Sequence, residues 1–427
     1  MSPAPGRDRE FLLLWGSTAV SDLGSAVTYL ALPLTAIHLL DAGPREMGWL
    51  LALGQLPVPL LGLFVGVWVD RLRRRPLMIA ADLGRAALIT AIPVAALAGA
   101  LELSHLYMVA LLVGSLTVLF DLGVTSYVPS LVGRPDLLDA NSKLQITANL
   151  AGMLGRTGGG ALVRMLGAPV ALLVDAATFL LSALALSRIR DREPRPAPVS
   201  RRMGLWREIG EGVRVTFGEP VVASMVVVST LGAFGGAVQQ AVLFLFLTNQ
   251  LALGPLAIGL ITAVAPFGAW LGASLAPRLG IRLGPGPALV LGGLSGALGA
   301  GLVALAGVAP FRTLPTLVVA QALGGLGLAL YSVNQISLRQ ALIPDEVLGR
   351  VNATRRVFVF GAIPLGAVLG GGMGEALGLR TTLVVGAMAL VGSVVVSFLS
   401  PLRSARTLPE PRTDAPGRVE PGSSPRS

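Results

Sequence analysis

Six ionisable side chains lie inside apolar stretches that are each long enough to cross a lipid bilayer, about 20 residues. They are Asp22, Asp82, Arg85, Asp121, Arg156 and Asp175. Charge is costly in lipid, so such side chains are expected to face a polar interior and to serve ion or substrate movement. The chain has no cysteine and only two histidines, His38 and His105. Disulfides, thiolate metal sites and a Cys/His nucleophile pair are therefore excluded, and no enzyme site is expected.

Asp22 is the candidate for coupling transport to an ion gradient. It lies in the middle of the first apolar stretch and is flanked by Ser21, Gly24 and Ser25. A carboxylate facing a polar interior at that depth can exchange protons with the cavity. The alternative is a packing role in which a neighbouring hydroxyl satisfies the carboxylate, and the sequence leaves both open.

The other intramembrane charges favour structural pairing. Asp82 and Arg85 are three residues apart on one helix face, so a mutual ion pair is expected. Arg156 lies in a glycine-rich stretch where helices approach closely, so its side chain is not expected to face lipid. It is expected either to pair with an acid or to contact an anionic substrate group. Its candidate acids are Asp22, Asp121 and Asp175.

Composition indicates an all-α membrane protein. Hydrophobic residues make up 53% of the 427 residues and charged residues only 13%, whereas soluble proteins carry about 25% charged residues. Net charge is +10, but aromatic residues are only 5% and the charges fall between apolar stretches, so a nucleic-acid surface is not expected. Lipid headgroups are the expected counterpart of this charge.

Run lengths predict twelve transmembrane helices in two six-helix bundles. The predicted spans are 11–38, 46–69, 77–100, 105–127, 144–166, 168–188, 219–248, 256–277, 287–309, 315–338, 357–377 and 379–400. The expected organisation is a cytoplasmic N-terminus (1–10), an N-terminal bundle (11–190), a basic and amphipathic cytoplasmic linker (191–218), a C-terminal bundle (219–401) and a disordered cytoplasmic tail (402–427).

Most of the 33 basic residues fall between alternate pairs of spans, on the same face as the termini. The opposite face carries only Arg45, Arg164, Arg312 and Arg380. The positive-inside rule then predicts that both termini are cytoplasmic and that the protein is a multi-pass protein of the plasma or inner membrane.

Equivalent residues recur at a constant separation of 211 positions, which favours an internal duplication. The matching pairs include Ser126 with Ser337, Asn141 with Asn352, Gly155 with Gly366, Gly159 with Gly370, Gly160 with Gly371 and Gly167 with Gly378.

The joint after the second span combines a glycine, an aspartate and a basic cluster. Gly66 lies one helical turn before Asp70, and Arg71, residues 73–75 and Pro76 follow. This resembles the loop signature of the major facilitator superfamily. With Ala81 to Arg85, Pro129, Leu137, Asn141 and the glycines from 155 to 160, residues 11–400 resemble the drug-efflux branch that includes macrolide-efflux-like and enterobactin-exporter-like proteins.

The resemblance implies alternating access, with a conformational latch between the loop and an acid low in the fourth span. By position the latch comprises Gly66, Asp70, Arg71, Arg74 and Asp121. Three departures from the family pattern put proton antiport in doubt. Arg73 replaces the usual loop glycine, Arg156 replaces the proline of the fifth-span motif, and the fourth span lacks the arginine of many drug/proton antiporters.

In the second half, sparse amides among aromatic residues suit a cavity wall, and Gln239 and Asn334 are the candidates. Interhelical hydrogen bonding is their alternative role.

The chain has no nucleotide-binding loop and one lysine, Lys143, so neither ATP nor another cofactor is expected. The resulting expectation is a monomeric secondary transporter that exports hydrophobic or amphipathic small molecules, with proton or other cation antiport. A dedicated exporter of a host-made natural product or siderophore, a lipid flippase, a membrane enzyme and a transport-dead sensor are the alternatives.

Overall fold

The computed structural model describes residues 9–61, 73–133, 136–190, 205–343 and 345–404. Within these ranges the chain is helical almost throughout and forms no strand. The helices up to the linker are α1 (Arg9–Leu40), α2 (Pro44–Gln55), α3 (Arg74–Leu97), α4 (Leu103–Val132), α5 (Leu137–Leu166) and α6 (Ala168–Ser187). Those that follow are α7 (Leu205–Gly218), α8 (Pro220–Leu245), α9 (Pro255–Leu283), α10 (Pro285–Leu305), α11 (Thr313–Leu342), α12 (Asp345–Leu377) and α13 (Leu379–Leu399).

Ten helices in the described ranges are long and apolar enough to cross a bilayer, which confirms the all-α membrane class. The predicted spans 46–69 and 144–166 coincide with α2 and α5. Helix α2 ends at Gln55, and a second helical stretch covers residues 57–61, next to the undescribed residues 62–72. Helix α5 is 30 residues long but polar in its first half, where Asp139, Asn141 and Lys143 lie. The count of twelve spans therefore stays a prediction.

The 211-residue repeat is a repeat of packing as well as of sequence. Gly155 of α5 faces Leu23 and Ala26 of α1, and Gly366 of α12 faces Phe234 and Ala237 of α8, which are the same positions plus 211. At each glycine a Cβ would lie 2.5–2.6 Å from a backbone carbonyl oxygen. Only a residue without a Cβ permits this close helix approach, so glycine is required at both sites.

Two further glycine contacts join the first six helices to the later ones. Gly160 of α5 packs on Gly259 of α9, and Gly371 of α12 packs on Gly48 of α2. Both pairs lie where α2 and α9 begin and α5 and α12 end, which is the end of the bundle opposite Arg9. We name these two contacts the glycine seam. They are related to each other by the same offset of 211.

Helix α7 is amphipathic, as the sequence predicts for the linker, and it packs on the first turns of α12. A Cβ at Gly212 would lie 2.8 Å from the carbonyl oxygen of Arg350 and 2.7 Å from Thr354 Oγ1. Glu211 and Arg350 form a salt bridge with an N–O distance of 2.6 Å. The linker helix therefore docks against the later helices through a glycine contact and an ion pair.

Candidate functional site: a central cavity beside a buried charge network

A cavity of about 430 Å³ lies between α1, α2, α4 and α8. Most of its wall is aliphatic, contributed by residues such as Leu50, Val113 and Val118. The polar groups in the wall are few and come from separate helices: Ser25, Thr28, Tyr29, Gln55, Thr117, Asp121 and Gln240. An apolar cavity with sparse polar groups suits an amphipathic small molecule, and the volume lies in the range of drug-sized sites.

Tyr29 stands where helices from the two repeats meet. Gln240 Nε2 of α8 donates a hydrogen bond to Tyr29 Oη at 2.9 Å, and the Phe244 ring packs edge-on with ring centroids 5.6 Å apart. Tyr29 and Gln240 are themselves separated by 211 positions, so residues at equivalent positions of the two repeats contact each other in the cavity wall.

Arg156 occupies the other face of Tyr29. Its guanidinium carbon lies 4.3 Å from the ring centroid, and Nη1 donates to the Thr262 carbonyl oxygen of α9 at 3.0 Å. The predicted pairing with an acid is not found in the part of the chain that the structure describes. A carbonyl dipole and an aromatic face hold this guanidinium instead, and the contact joins α5 to α9 close to the glycine seam.

Asp82 and Arg85 form the expected ion pair, and both are almost fully buried. The guanidinium carbon of Arg85 lies 4.3 Å from the ring centroids of both Phe120 and Phe179. Two aromatic faces therefore stabilise a cation that makes one ion pair within the membrane.

Three further carboxylates lie within electrostatic range of Arg85: Asp22, Asp121 and Asp175. Asp22 and Asp121 also interact with each other. Asp175 is buried and accepts hydrogen bonds from Thr28 at 2.5 Å and from Thr178. The structure thus gathers five of the six predicted intramembrane charges into one network, which Asp121 and Thr28 connect to the cavity.

The predicted latch lies mostly outside the described residues, because Gly66, Asp70 and Arg71 fall in the range 62–72. Arg74 begins α3, and its carbonyl lies near Gly123, half a turn from Asp121 on α4. Asp121 itself is exposed to the cavity. The latch remains a prediction.

Gln239 and Asn334, the predicted cavity residues, are placed elsewhere. Gln239 Nε2 donates to the carbonyl oxygens of Ala300 and Leu383, and Asn334 Nδ2 donates to the carbonyl of Leu330. Neither belongs to the cavity wall described above. Gln239 makes the interhelical hydrogen bonds that were its alternative role, whereas the hydrogen bond of Asn334 stays within its own helix. The adjacent Gln240 faces the cavity instead, because one residue turns a helix position by about 100°.

Sequence reasoning did not single out Tyr29 as a junction residue. The signal was present in the constant offset of 211, which pairs Tyr29 with Gln240, but nothing local to Tyr29 marks it as central. Nothing in the sequence analysis singled out Arg339 either, which is 7% exposed.

Bilayer-length helices, a repeated glycine-lined packing and a central cavity beside buried charges define a secondary transporter of the major facilitator type. Residues 1–418 match the family model described as transmembrane secretion effector, and the chain belongs to that major facilitator family. The resemblance seen in the sequence is thereby confirmed.

Among its relatives are export proteins. The chain is 28% identical over 406 residues to the multidrug efflux pump Tap of Mycolicibacterium fortuitum, covering 92% of this chain and 96% of Tap. It is 28% identical over 306 residues to the enterobactin exporter EntS of Escherichia coli O6:K15:H31, covering 70% of each.

Solved structures share the fold. A bacterial homologue of the iron transporter ferroportin in an inward-facing state superposes with a TM-score of 0.74 at 16% identity, covering 93% of this chain and 99% of that one. The nucleoside transporter NupG gives a TM-score of 0.71 at 14% identity, covering 91% and 97%.

Proposed function

We propose that this protein exports hydrophobic or amphipathic small molecules by alternating access, in exchange for protons. The observation that carries the proposal is the cavity of about 430 Å³, whose wall includes Asp121 and Thr28 of the buried charge network. A site that binds cargo in direct contact with groups able to take up protons provides the physical link that antiport needs. The two efflux relatives support the direction of transport.

Asp22 is the proposed proton carrier. Its carboxylate lies within electrostatic range of both Asp121 and Arg85, so a change in its charge alters the interactions of the whole network. Asp175 is held by two threonine hydroxyls, whereas no hydroxyl among the described residues bonds to Asp22, which leaves Asp22 freer to exchange protons. Asp22 is not itself a wall residue, so its protonation acts on cargo through Asp121, the wall carboxylate with which it interacts.

The glycine seam and the Arg156 contact close the end of the bundle opposite Arg9. We propose that both termini are cytoplasmic, as the positive-inside rule predicts, so that this end faces outward. Rocking of the 11–190 bundle against the 219–401 bundle would then open the seam. The latch of Gly66, Asp70, Arg71, Arg74 and Asp121 would hold the opposite end, and the working unit would be a monomer in the plasma or inner membrane.

The test is transport by purified protein in liposomes with an imposed pH gradient and a panel of cationic, neutral and anionic amphipathic compounds. Asp22→Asn is expected to abolish gradient-driven movement while exchange of cargo down its own gradient persists. Asp139→Asn is the matched control, because Asp139 is exposed and pairs with Lys143 at the surface. The antiport claim fails if Asp22→Asn responds to the pH gradient as the wild type does.

Dedicated export of an anionic natural product or siderophore is the second candidate. The favouring observation is Arg156, a guanidinium beside the cavity residue Tyr29 that is bound only to a carbonyl and a ring among the described residues. In the same liposomes, enterobactin should then compete with other cargo, and Arg156→Gln should weaken that competition without affecting a cationic dye.

A further inference from the structure

A second group of buried charge consists of two arginines, one on α11 and one on α12. Arg339 belongs to the last turn of α11 and is 7% exposed, and Arg355 of α12 is half-buried. The two guanidiniums lie within electrostatic range of each other and of Tyr331. Two like charges are therefore held together in a largely buried position.

Neither arginine has a carboxylate within ion-pair distance in the described part of the chain. Arg339 Nε and Nη1 and Arg355 Nε are buried without a hydrogen-bond acceptor. The neighbouring arginines differ, because Arg350 is paired with Glu211 and Arg356 lies within electrostatic range of Asp121. Among the described residues, the flanking arginines therefore have counter-charges and this pair has none.

Burying unpaired charge is unfavourable, and two cations within electrostatic range add their mutual repulsion. Water can solvate a guanidinium but cannot neutralise the pair. An oxyanion can do both, because its oxygens accept from the planar forks of two arginines at once. Tyr331 does not act as the counter-charge, because its hydroxyl donates a hydrogen bond to the Met225 carbonyl oxygen at 3.3 Å and therefore keeps its proton.

We propose that Arg339, in the last turn of α11, and Arg355 of α12 form a binding site for an oxyanion, that is, for a carboxylate, sulfate or phosphate group. Such an oxyanion has two sources. One is a free anion, including an anionic cargo molecule, and the other is the headgroup of an anionic lipid. The site does not depend on the proposed antiport, because binding here is measurable whether or not cargo moves.

The experiment is thermal unfolding of the full-length protein in phosphatidylcholine nanodiscs, with sulfate titrated against chloride at constant ionic strength. For a free anion, sulfate is expected to raise the wild-type Tm in a saturable way. Arg339→Gln and Arg355→Gln should each weaken the apparent affinity about tenfold or more. Arg282→Gln is the matched control and should respond as the wild type does, because Arg282 is an exposed arginine at the end of α9.

The lipid source is tested by replacing part of the phosphatidylcholine with phosphatidylglycerol. If a headgroup occupies the site, phosphatidylglycerol raises the wild-type Tm more than that of Arg339→Gln, and sulfate adds little. Arg339→Lys keeps the charge and loses the fork, so it should retain part of the effect if Arg339→Gln fails to fold. The proposal is overturned if neither anion stabilises the wild type more than the Arg339 and Arg355 variants.

Discussion

Adding one methyl group to the glycine seam should shift the protein towards the state in which the seam is open. In Gly160→Ala the new Cβ would lie 2.7 Å from the Pro255 carbonyl oxygen and 3.1 Å from Gly259 Cα. Both neighbours are backbone atoms, so the helices themselves have to separate. Overpacking of this kind costs about 1–3 kcal/mol, which corresponds to a shift of about 5- to 150-fold in the ratio of closed to open seam.

The matched control is two residues away on the same helix. An added Cβ at Gly158 meets nothing within 4 Å, so Gly158→Ala carries the same change in helix propensity without the clash. Gly371→Ala tests the repeat, because its Cβ would lie 2.7 Å from the Pro44 carbonyl oxygen and 2.9 Å from Gly48 Cα. The two seam variants are expected to behave alike.

The absence of cysteine in this chain makes the assay simple, since one introduced cysteine is the only labelling site. Ser25→Cys places a thiol on the cavity wall. In intact cells a membrane-impermeant maleimide should label Ser25→Cys faster when Gly160→Ala is also present, and at the unaltered rate with Gly158→Ala. Equal labelling rates with the two alanine variants would show that the seam is not the barrier between the cavity and the outside. Slower labelling with Gly160→Ala would show that opening the seam does not expose the cavity to the outside.

Three further outcomes are expected. Asp82→Asn should lower the free energy of unfolding by about 3–5 kcal/mol, because it leaves Arg85 buried without its ion pair, and the double variant with Arg85→Met should recover part of the loss in denaturant melts. Glu211→Gln should cost less than about 1 kcal/mol in the same melts, because its salt bridge with Arg350 is partly exposed. Tyr29→Phe should lower the free energy of unfolding by about 1 kcal/mol, because it removes one hydrogen bond between α1 and α8. It should also speed labelling of the cavity cysteine. An unchanged labelling rate would mean that Tyr29 has no part in closure.

The sequence by itself determined the class of protein and much of its internal symmetry. Apolar runs of bilayer length leave few folds available, because each backbone polar group in lipid has to be satisfied within a helix. The spacing of Asp82 and Arg85 predicted their ion pair, since residues three apart share a helix face. The offset of 211 also anticipated that Gly155 and Gly366 have equivalent surroundings.

Only the tertiary structure decided which charges meet. Arg156 was expected to pair with an acid and instead lies on Tyr29 and a carbonyl of α9, while Asp175 is held by Thr28 across 147 positions of sequence. The partners of a buried charge depend on how helices rotate and cross, and a single helix period does not contain that information. For the same reason the sequence placed Gln239 rather than Gln240 at the cavity, and it gave no sign that packing buries Arg339.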